Sequence, residues 1–142
     1  MRLTNFTDYA LRLLMYAAVH EDRLITIEEV SEVYKISRAH LMKIANTLTR
    51  AGYLKAVRGR SGGLTLAKPP RKIRLGDVVR ATEPDFALVE CFATGNQCLI
   101  TRSCRLRGIF HEGLDAFNAV LDKYTLADLM LRPKDFGVRP AA

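Results

Sequence analysis

The sequence lacks the features that mark several large classes of protein. No apolar run approaches the roughly 18 residues that a membrane span requires, and the first residues lack the pattern of a secretion signal. Cysteine is scarce, and an odd count of three argues against a disulfide framework. We find no acid–base pair, nucleophile triad or glycine-rich phosphate loop. We therefore expect a cytoplasmic protein that is not an enzyme and has no membrane partner.

Acidic residues are scarce in one part of the chain. The 142 residues carry a net charge of +7, and residues 35–80 hold twelve Lys and Arg against a single acidic residue, Asp77. Residues 1–80 have a net charge of +8, whereas residues 81–142 have −1. Concentrated positive charge favours a polyanionic partner, because neutralised phosphates release counterions. The pattern indicates nucleic acid, and a solvated basic face is the alternative.

Apolar spacing and capping residues predict three helices near the start of the chain. A first helix is expected over 4–20. A Thr-x-x-Glu capping box at 26–29 begins a second helix, which ends near residue 34. After a short turn, Ser37 caps a third helix that ends near residue 51. Two short helices joined by a tight turn, the second with a polar outer face, are typical of a helix-turn-helix.

A basic, glycine-rich turn follows the third helix, which we call the reader helix. Residues 53–57 and 64–67 alternate as short strands around this turn. A basic hairpin in this place is typical of a wing, so we predict a mainly α fold, a winged helix-turn-helix domain with a two-stranded wing. Arg and Lys suit guanine and phosphate, and Asn suits adenine. The candidate DNA contacts are Ser37, Arg38, His40, Lys43, Asn46 and Arg50 in the reader helix and Arg58, Arg60, Ser61 and Gly62 in the wing.

The second half of the chain predicts a loop followed by a long helix. A short helix is expected over 75–81, and apolar residues recur every three or four positions from 105 to 124. So small a head domain cannot bury this long seam, and we expect it to pack on a second copy of the chain. The predicted organisation is a DNA-binding domain at 1–83, a cluster-binding loop at 84–104, a dimerisation helix with a short terminal helix at 105–131 and a mobile tail at 132–142.

The three cysteines, Cys91, Cys98 and Cys104, all lie in this loop. Their spacings of six and five intervening residues fit the usual Cys-x2-4-Cys pairs of zinc sites poorly. These spacings suit an inorganic cluster that a single loop wraps. Free surface thiols, a redox switch and a zinc site completed by His111 are the alternatives.

A cluster held by three thiolates needs a fourth ligand or leaves one iron open. The candidates in the sequence are Asp8, Glu90, His111 and a small molecule. Asp8 has a simpler explanation, because Arg12 lies four residues further along the same helix and the two side chains form an ion pair at that spacing.

Four segments give the chain a resemblance to a known family. They are MRLTNFTDYALR at 1–12, ISRAHLMKI at 36–44, RAGY with VRGRSGGL at 50–64, and YTLADL at 124–129. Together they resemble the NsrR branch of a family of bacterial winged-helix regulators that also includes IscR and RirA. The resemblance covers residues 1 to about 131.

This resemblance implies a homodimer that represses transcription while it holds an iron–sulfur cluster, with nitric oxide as the signal that releases double-stranded operator DNA. Cys91, Cys98 and Cys104 match the family's thiolate ligands, and the implied cofactor is a [4Fe-4S] cluster, with [2Fe-2S] as the alternative. Asp8 matches the position that supplies an oxygen ligand from the partner subunit. Arg12 lies beside it and is expected to adjust the carboxylate.

Two departures keep other functions open. Arg107 stands where IscR-type proteins have a histidine, which argues against their histidine-ligated cluster. Six residues separate Cys91 from Cys98, and this spacing is close to that of RirA. An iron-responsive or general iron–sulfur-status regulator is therefore the alternative function. An iron–sulfur electron-transfer protein is the alternative from a different class.

Overall fold

The computed structural model describes residues 1–137, and its first helix, α1, spans Asn5–Val19. Thr4 caps this helix, because its hydroxyl accepts a hydrogen bond from the Thr7 N–H at 3.2 Å. Leu13 and Leu14 on its inner face are fully buried. The helix predicted over 4–20 is therefore present, and it forms the centre of the core.

The predicted helix-turn-helix is confirmed. Helix α2 spans Ile27–Tyr34 and has the Thr26–Glu29 capping box, and helix α3, the reader helix, spans Arg38–Arg50. Lys35 takes a left-handed conformation with φ of 58° in the turn between them. The Ser37 hydroxyl then caps α3 by accepting from the His40 N–H at 3.2 Å.

The wing consists of strands β1, Leu54–Val57, and β2, Gly63–Leu66, which pair in antiparallel register with Leu54 opposite Leu66. Ile25, between the first two helices, exchanges two backbone hydrogen bonds with Leu64, at 2.9 and 2.7 Å. This bridge adds a third short stretch to the base of the wing and fixes the hairpin to the helical core. The predicted fold class, a mainly α winged helix-turn-helix with a two-stranded wing, is confirmed.

Helix α4 spans Leu75–Thr82, and the long helix α5 spans Arg105–Asp122. Arg80 of α4 bonds Asp122 of α5 at 2.6 Å, and backbone bonds join residues 73–75 to residues 124–126. These contacts attach the C-terminal end of α5 to the head domain. Within the described part of the chain, no residue of α5 is buried.

The C-terminal segment differs from the predictions. The expected short helix at 126–131 is a 3-10 turn over Leu126–Leu129, and a further 3-10 turn covers Pro133–Phe136. The Phe136 ring lies 5.3 Å from the ring of Tyr16 and 6.0 Å from the ring of Tyr34, so this side chain packs against the core, whereas residues 133–135 are exposed. The mobility that glycine and proline content predicts for 132–142 stays a prediction. The rest of that tail, 138–142, lies outside the described residues.

Candidate DNA-binding surface and cysteine loop

The reader helix separates apolar and polar side chains onto two faces. Leu41, Ile44 and Leu48 are fully buried against the core. The exposed side chains include four of the predicted DNA contacts: Arg38, Lys43, Asn46 and Arg50. The periodicity of the sequence thus places these four on a solvent-facing surface, where a major groove is accessible to them.

Arg38, at the start of the reader helix, is held by an acidic neighbour. Its guanidinium lies 3.2 Å from the Glu28 carboxylate on α2, and both side chains are largely exposed. An exposed pair of this kind contributes little to stability. The pair places the Arg38 guanidinium beside α2, across the helix-turn-helix.

His40 lies differently from the other predicted contacts. Its ring is half-buried, with its centroid 5.3 Å from the ring of Tyr9 in an edge-to-face arrangement and 6.1 Å from Phe6. Both partners belong to α1. The imidazole therefore packs between the first helix and the reader helix, a position that the helical pattern alone did not indicate.

The tip of the wing exposes its cations. Arg58, Arg60 and Ser61 are all exposed. Gly59 has a φ of +113°, and a Cβ on Gly62 would collide with the Val57 carbonyl oxygen, so this tight turn requires both glycines. The turn projects the two arginines away from the core, as a contact with a minor groove requires.

The three cysteines line the same hollow. Cys91, Cys98 and Cys104 line a single hollow of about 180 Å³, whose other walls are mainly apolar and come from Val89, Ile100, Leu106 and Phe110, with Glu90 and Arg107 at its edge. Cys91 sits in a 3-10 turn, Glu90–Phe92, and Cys104 is the residue that precedes α5. Three thiols around one apolar-walled hollow fit the donor set of an iron–sulfur cluster.

His111, the fourth ligand in the zinc alternative, does not line this hollow. Among residues 1–137, no three His, Cys, Asp or Glu side chains are grouped closely enough to hold a single metal ion. The His111 ring stacks on Phe92 with centroids 3.9 Å apart and does not line the hollow. Glu90 lines it, and its carboxylate accepts the Gln97 N–H at 3.0 Å.

Asp8 lies on α1 and does not line the hollow of its own chain. Its two carboxylate oxygens accept hydrogen bonds from Arg12 at 3.1 and 2.8 Å, which is the ion pair expected from their spacing. The Arg12 guanidinium carbon is also 5.5 Å from the Tyr9 ring and 6.0 Å from the Tyr34 ring. Arg12 is thus held by a carboxylate and two aromatic faces.

Tyr34 supports this cluster from α2. Its hydroxyl donates to the Arg12 carbonyl at 2.9 Å. Burial raises the pKa of Tyr34 to about 12, although the nearby Arg12 charge opposes the shift. The phenol therefore stays protonated and keeps donating across the physiological range.

Sequence reasoning missed the polar residues that hold the cysteine loop. Asn96 and Thr101 form hydrogen bonds to the backbone of Cys98. The signal was weak, since an Asn or Thr near a cysteine is common in any loop. The one indication in the sequence was Asn96 itself, because an Asn side chain often accepts a hydrogen bond from the backbone N–H two residues later, in an Asx-turn.

The fold, the exposed basic reader helix and the glycine-turned wing define a winged-helix DNA-binding regulator. Comparison with known proteins makes the assignment specific. Residues 3–132 match the Rrf2 family, described as iron-dependent transcriptional regulators. The chain belongs to the Rrf2 family.

Its relatives are named as regulators. The chain is 50% identical over 132 residues to the HTH-type transcriptional regulator NsrR of Geobacillus kaustophilus, covering 92% of this chain and 90% of that protein. It is 47% identical over 137 residues to NsrR of Bacillus subtilis, covering 95% and 94%. The structure of IscR from T. potens superposes with a TM-score of 0.71 at 25% identity, covering 91% of this chain and 85% of that one.

These relatives confirm the resemblance drawn from the four sequence segments. The chain is a DNA-binding transcriptional regulator of the NsrR type and not an enzyme. An electron-transfer protein is not favoured, because the relatives that match nearly the whole chain carry the name of a regulator. No helix within residues 1–137 is long and apolar enough to cross a membrane.

Proposed function

We propose that this protein is a nitric-oxide-responsive repressor, acting in the cytoplasm as a homodimer on a palindromic operator, whose DNA affinity depends on a [4Fe-4S] cluster. The observation that carries the proposal is the hollow lined by Cys91, Cys98 and Cys104 on the same chain as an exposed reader helix. The NsrR-named relatives support nitric oxide as the signal.

The three thiolates would hold the cluster in an open hollow whose walls include Val89, Ile100 and Leu106. When bound, the cluster supplies iron that reacts with nitric oxide. Asp8 of the partner subunit is the proposed fourth ligand. Its carboxylate would supply an oxygen ligand to iron, and Arg12, which bonds both carboxylate oxygens of Asp8 and lies against the rings of Tyr9 and Tyr34, would orient that carboxylate.

The loop is connected to the head domain through Glu83, the residue after α4. Its carboxylate accepts the Thr4 N–H at 2.7 Å and the Thr4 hydroxyl at 3.2 Å. Thr4 in turn caps α1, the helix that carries Asp8 and packs on the reader helix. A change in the loop therefore reaches α1 by a short path of direct contacts.

The dimer is proposed to form along α5. An apolar stripe is exposed on this helix and just after it; it consists of Leu106, Ile109, Gly113, Val120 and, two residues past the helix end, Tyr124. Its four large apolar side chains are 47% to 58% exposed, which is an unusual cost for a soluble protein unless a partner covers them. Within residues 1–137, nothing lies within 4 Å of the position of a Cβ on Gly113, so its own chain does not require glycine there. Close packing against a second α5 would explain a glycine at this position.

The test is to purify the protein anaerobically and to measure operator binding during a titration with nitric oxide, while the visible absorption of the cluster is followed. We expect cluster absorption and operator affinity to fall together. Cys98→Ser should remove both, whereas Ser103→Ala, an exposed change in the same loop, should leave both intact.

Two outcomes would overturn the proposal. Equal operator binding by the cluster-loaded and the stripped protein would show that the cluster does not control affinity. If nitric oxide leaves the complex unchanged and iron chelation releases the DNA, the iron-responsive alternative replaces nitric oxide sensing.

A further inference from the structure

Cys98 is the central and most exposed of the three cysteines. Cys91 belongs to a 3-10 turn and Cys104 directly precedes α5, and both are half-buried. Cys98 is exposed in the irregular stretch between them. A loop of this kind pays a large entropy cost when it closes around a ligand, unless its backbone is already restrained.

Two side chains restrain it. The Cys98 N–H donates to the Asn96 Oδ1 at 2.9 Å, and the Thr101 hydroxyl donates to the Cys98 carbonyl at 2.8 Å. The Asn96 Nδ2 donates to the same Thr101 hydroxyl oxygen at 2.8 Å. These three bonds close a ring around Cys98. The backbone N–H and the carbonyl of Cys98 each form a hydrogen bond with a side chain. The threonine hydroxyl is a donor in one bond and an acceptor in another.

We propose that Asn96 and Thr101 are positioning residues that hold the Cys98 thiol in the hollow before the cluster binds. This inference rests on the proposed function. Neither side chain is proposed to touch the cluster. They fix the backbone from which the thiol projects, in the way that outer-shell hydrogen bonds orient metal ligands and set metal affinity. Loss of such a partner typically costs roughly 10-fold to 100-fold in metal affinity.

Two substitutions at one position separate the ring from general packing. Thr101→Val keeps the shape and removes the hydroxyl, whereas Thr101→Ser keeps the hydroxyl and removes a methyl group. Thr94→Val is the matched control, because Thr94 is exposed in the same loop and its side chain makes no hydrogen bond within residues 1–137. Asn96→Ala removes the acceptor of the Cys98 N–H.

The first measurement uses cluster-free protein and follows amide hydrogen exchange at Cys98. We expect exchange to be roughly 10-fold faster in Asn96→Ala and in Thr101→Val than in the wild-type chain, and unchanged in Thr101→Ser and Thr94→Val. If the Cys98 amide exchanges at the same rate in all five proteins, these hydrogen bonds do not restrain Cys98 and the inference is wrong.

The second measurement follows the loss of cluster absorption to an iron chelator under anaerobic conditions. We expect Thr101→Val to lose the cluster roughly 10-fold to 100-fold faster than Thr94→Val, with Thr101→Ser restoring the wild-type rate. If the wild-type protein holds a cluster and Thr101→Val loses it no faster, this inference fails and the proposed function stands. If the wild-type protein and Thr94→Val hold no cluster, the proposed function fails as well.

Discussion

Glu29, near the start of α2, brings three elements together through one carboxylate. It accepts the Thr26 N–H at 3.1 Å, which completes the capping box, and the Tyr16 hydroxyl at 2.8 Å. Arg23 lies 2.8 Å from the same group. Burial alone would raise the pKa of Glu29, but the hydrogen bonds from Tyr16, Arg23 and Thr26 outweigh it and hold the pKa below its ordinary value.

A group whose pKa is lowered on folding stabilises the protein above its unfolded pKa, and that contribution is lost as the pH falls through the folded pKa. We therefore expect Glu29→Gln to lower the free energy of unfolding by about 1–2 kcal/mol at pH 7, since the charge-assisted bonds weaken. The difference from the wild-type protein should shrink as the pH falls below the ordinary carboxyl range. Urea denaturation at pH 7, 5 and 3 measures this.

Glu32→Gln is the control for this prediction, because Glu32 is exposed on the same helix and makes no hydrogen bond or ion pair within residues 1–137. It should change the free energy of unfolding by less than about 0.5 kcal/mol. A Glu29→Gln deficit that persists at pH 3 would mean that shape, and not charge, explains the effect.

The sequence predicted the local half of this cluster and missed the distant half. The Thr-x-x-Glu capping box lies within four consecutive residues, so its hydrogen bonds can be predicted from the local sequence alone. The Tyr16 contact joins residues 13 positions apart on different helices, and no local pattern encodes it. The same limit explains Phe136, whose packing depends on how the chain returns to Tyr16 and Tyr34.

The reader helix shows the same division at the scale of an element. Its limits, its Ser37 cap and its polar outer face were predicted from the sequence, because the spacing of apolar residues shows which face is buried. The position of His40 was not, since this residue lies at the edge between the two faces, and contact with Phe6 and Tyr9 of α1 draws it inward. Its predicted contact with DNA stays a prediction, and the packing gives it a second role.

Two substitutions at this position distinguish the roles. If His40 fixes the angle between α1 and α3, His40→Phe retains the aromatic contacts and should bind the operator with near wild-type affinity. His40→Ala should lose about 0.5–1.5 kcal/mol of stability and up to roughly 10-fold in operator affinity. Fluorescence anisotropy and thermal unfolding measure the two effects.

If His40 instead touches a base, both variants should bind equally weakly, and the alanine variant should unfold like the wild-type protein. Asn46→Ala is the comparison, because Asn46 is exposed on the outer face of the same helix. It should weaken operator binding by about 1–3 kcal/mol and leave the unfolding temperature unchanged.

At the scale of the whole molecule, the head domain and α5 differ in how far they bury their apolar side chains. The head domain buries a continuous core from α1 to α4, whereas α5 leaves its stripe uncovered. The sequence predicted this helix and its seam, because an apolar repeat over 18 residues exceeds what one small domain covers. The sequence predicted that Cys91, Cys98 and Cys104 act together, but it did not predict the walls of the hollow that they line, which come from the loop itself and from the first turns of α5.

A single charge in the stripe tests the assembly. Ile109→Asp places a carboxylate where a partner helix is proposed to pack, and burying an unpaired charge there is unfavourable enough to separate the subunits. Because Ile109 is 58% exposed in the single chain, the substitution should leave its fold intact. Light scattering should report half the mass of the wild-type protein, and circular dichroism should be unchanged.

Ala119→Asp introduces the same charge at another exposed position of α5 that is not part of the stripe, and should remain dimeric. Loss of the dimer should also remove Asp8 of the partner subunit from each cluster and the second reader helix from each palindrome. Ile109→Asp is therefore expected to lose operator binding far more steeply than any reader-helix substitution, because two linked half-site contacts become one. A monomeric Ile109→Asp that binds the full operator with wild-type affinity would mean that recognition needs one head only.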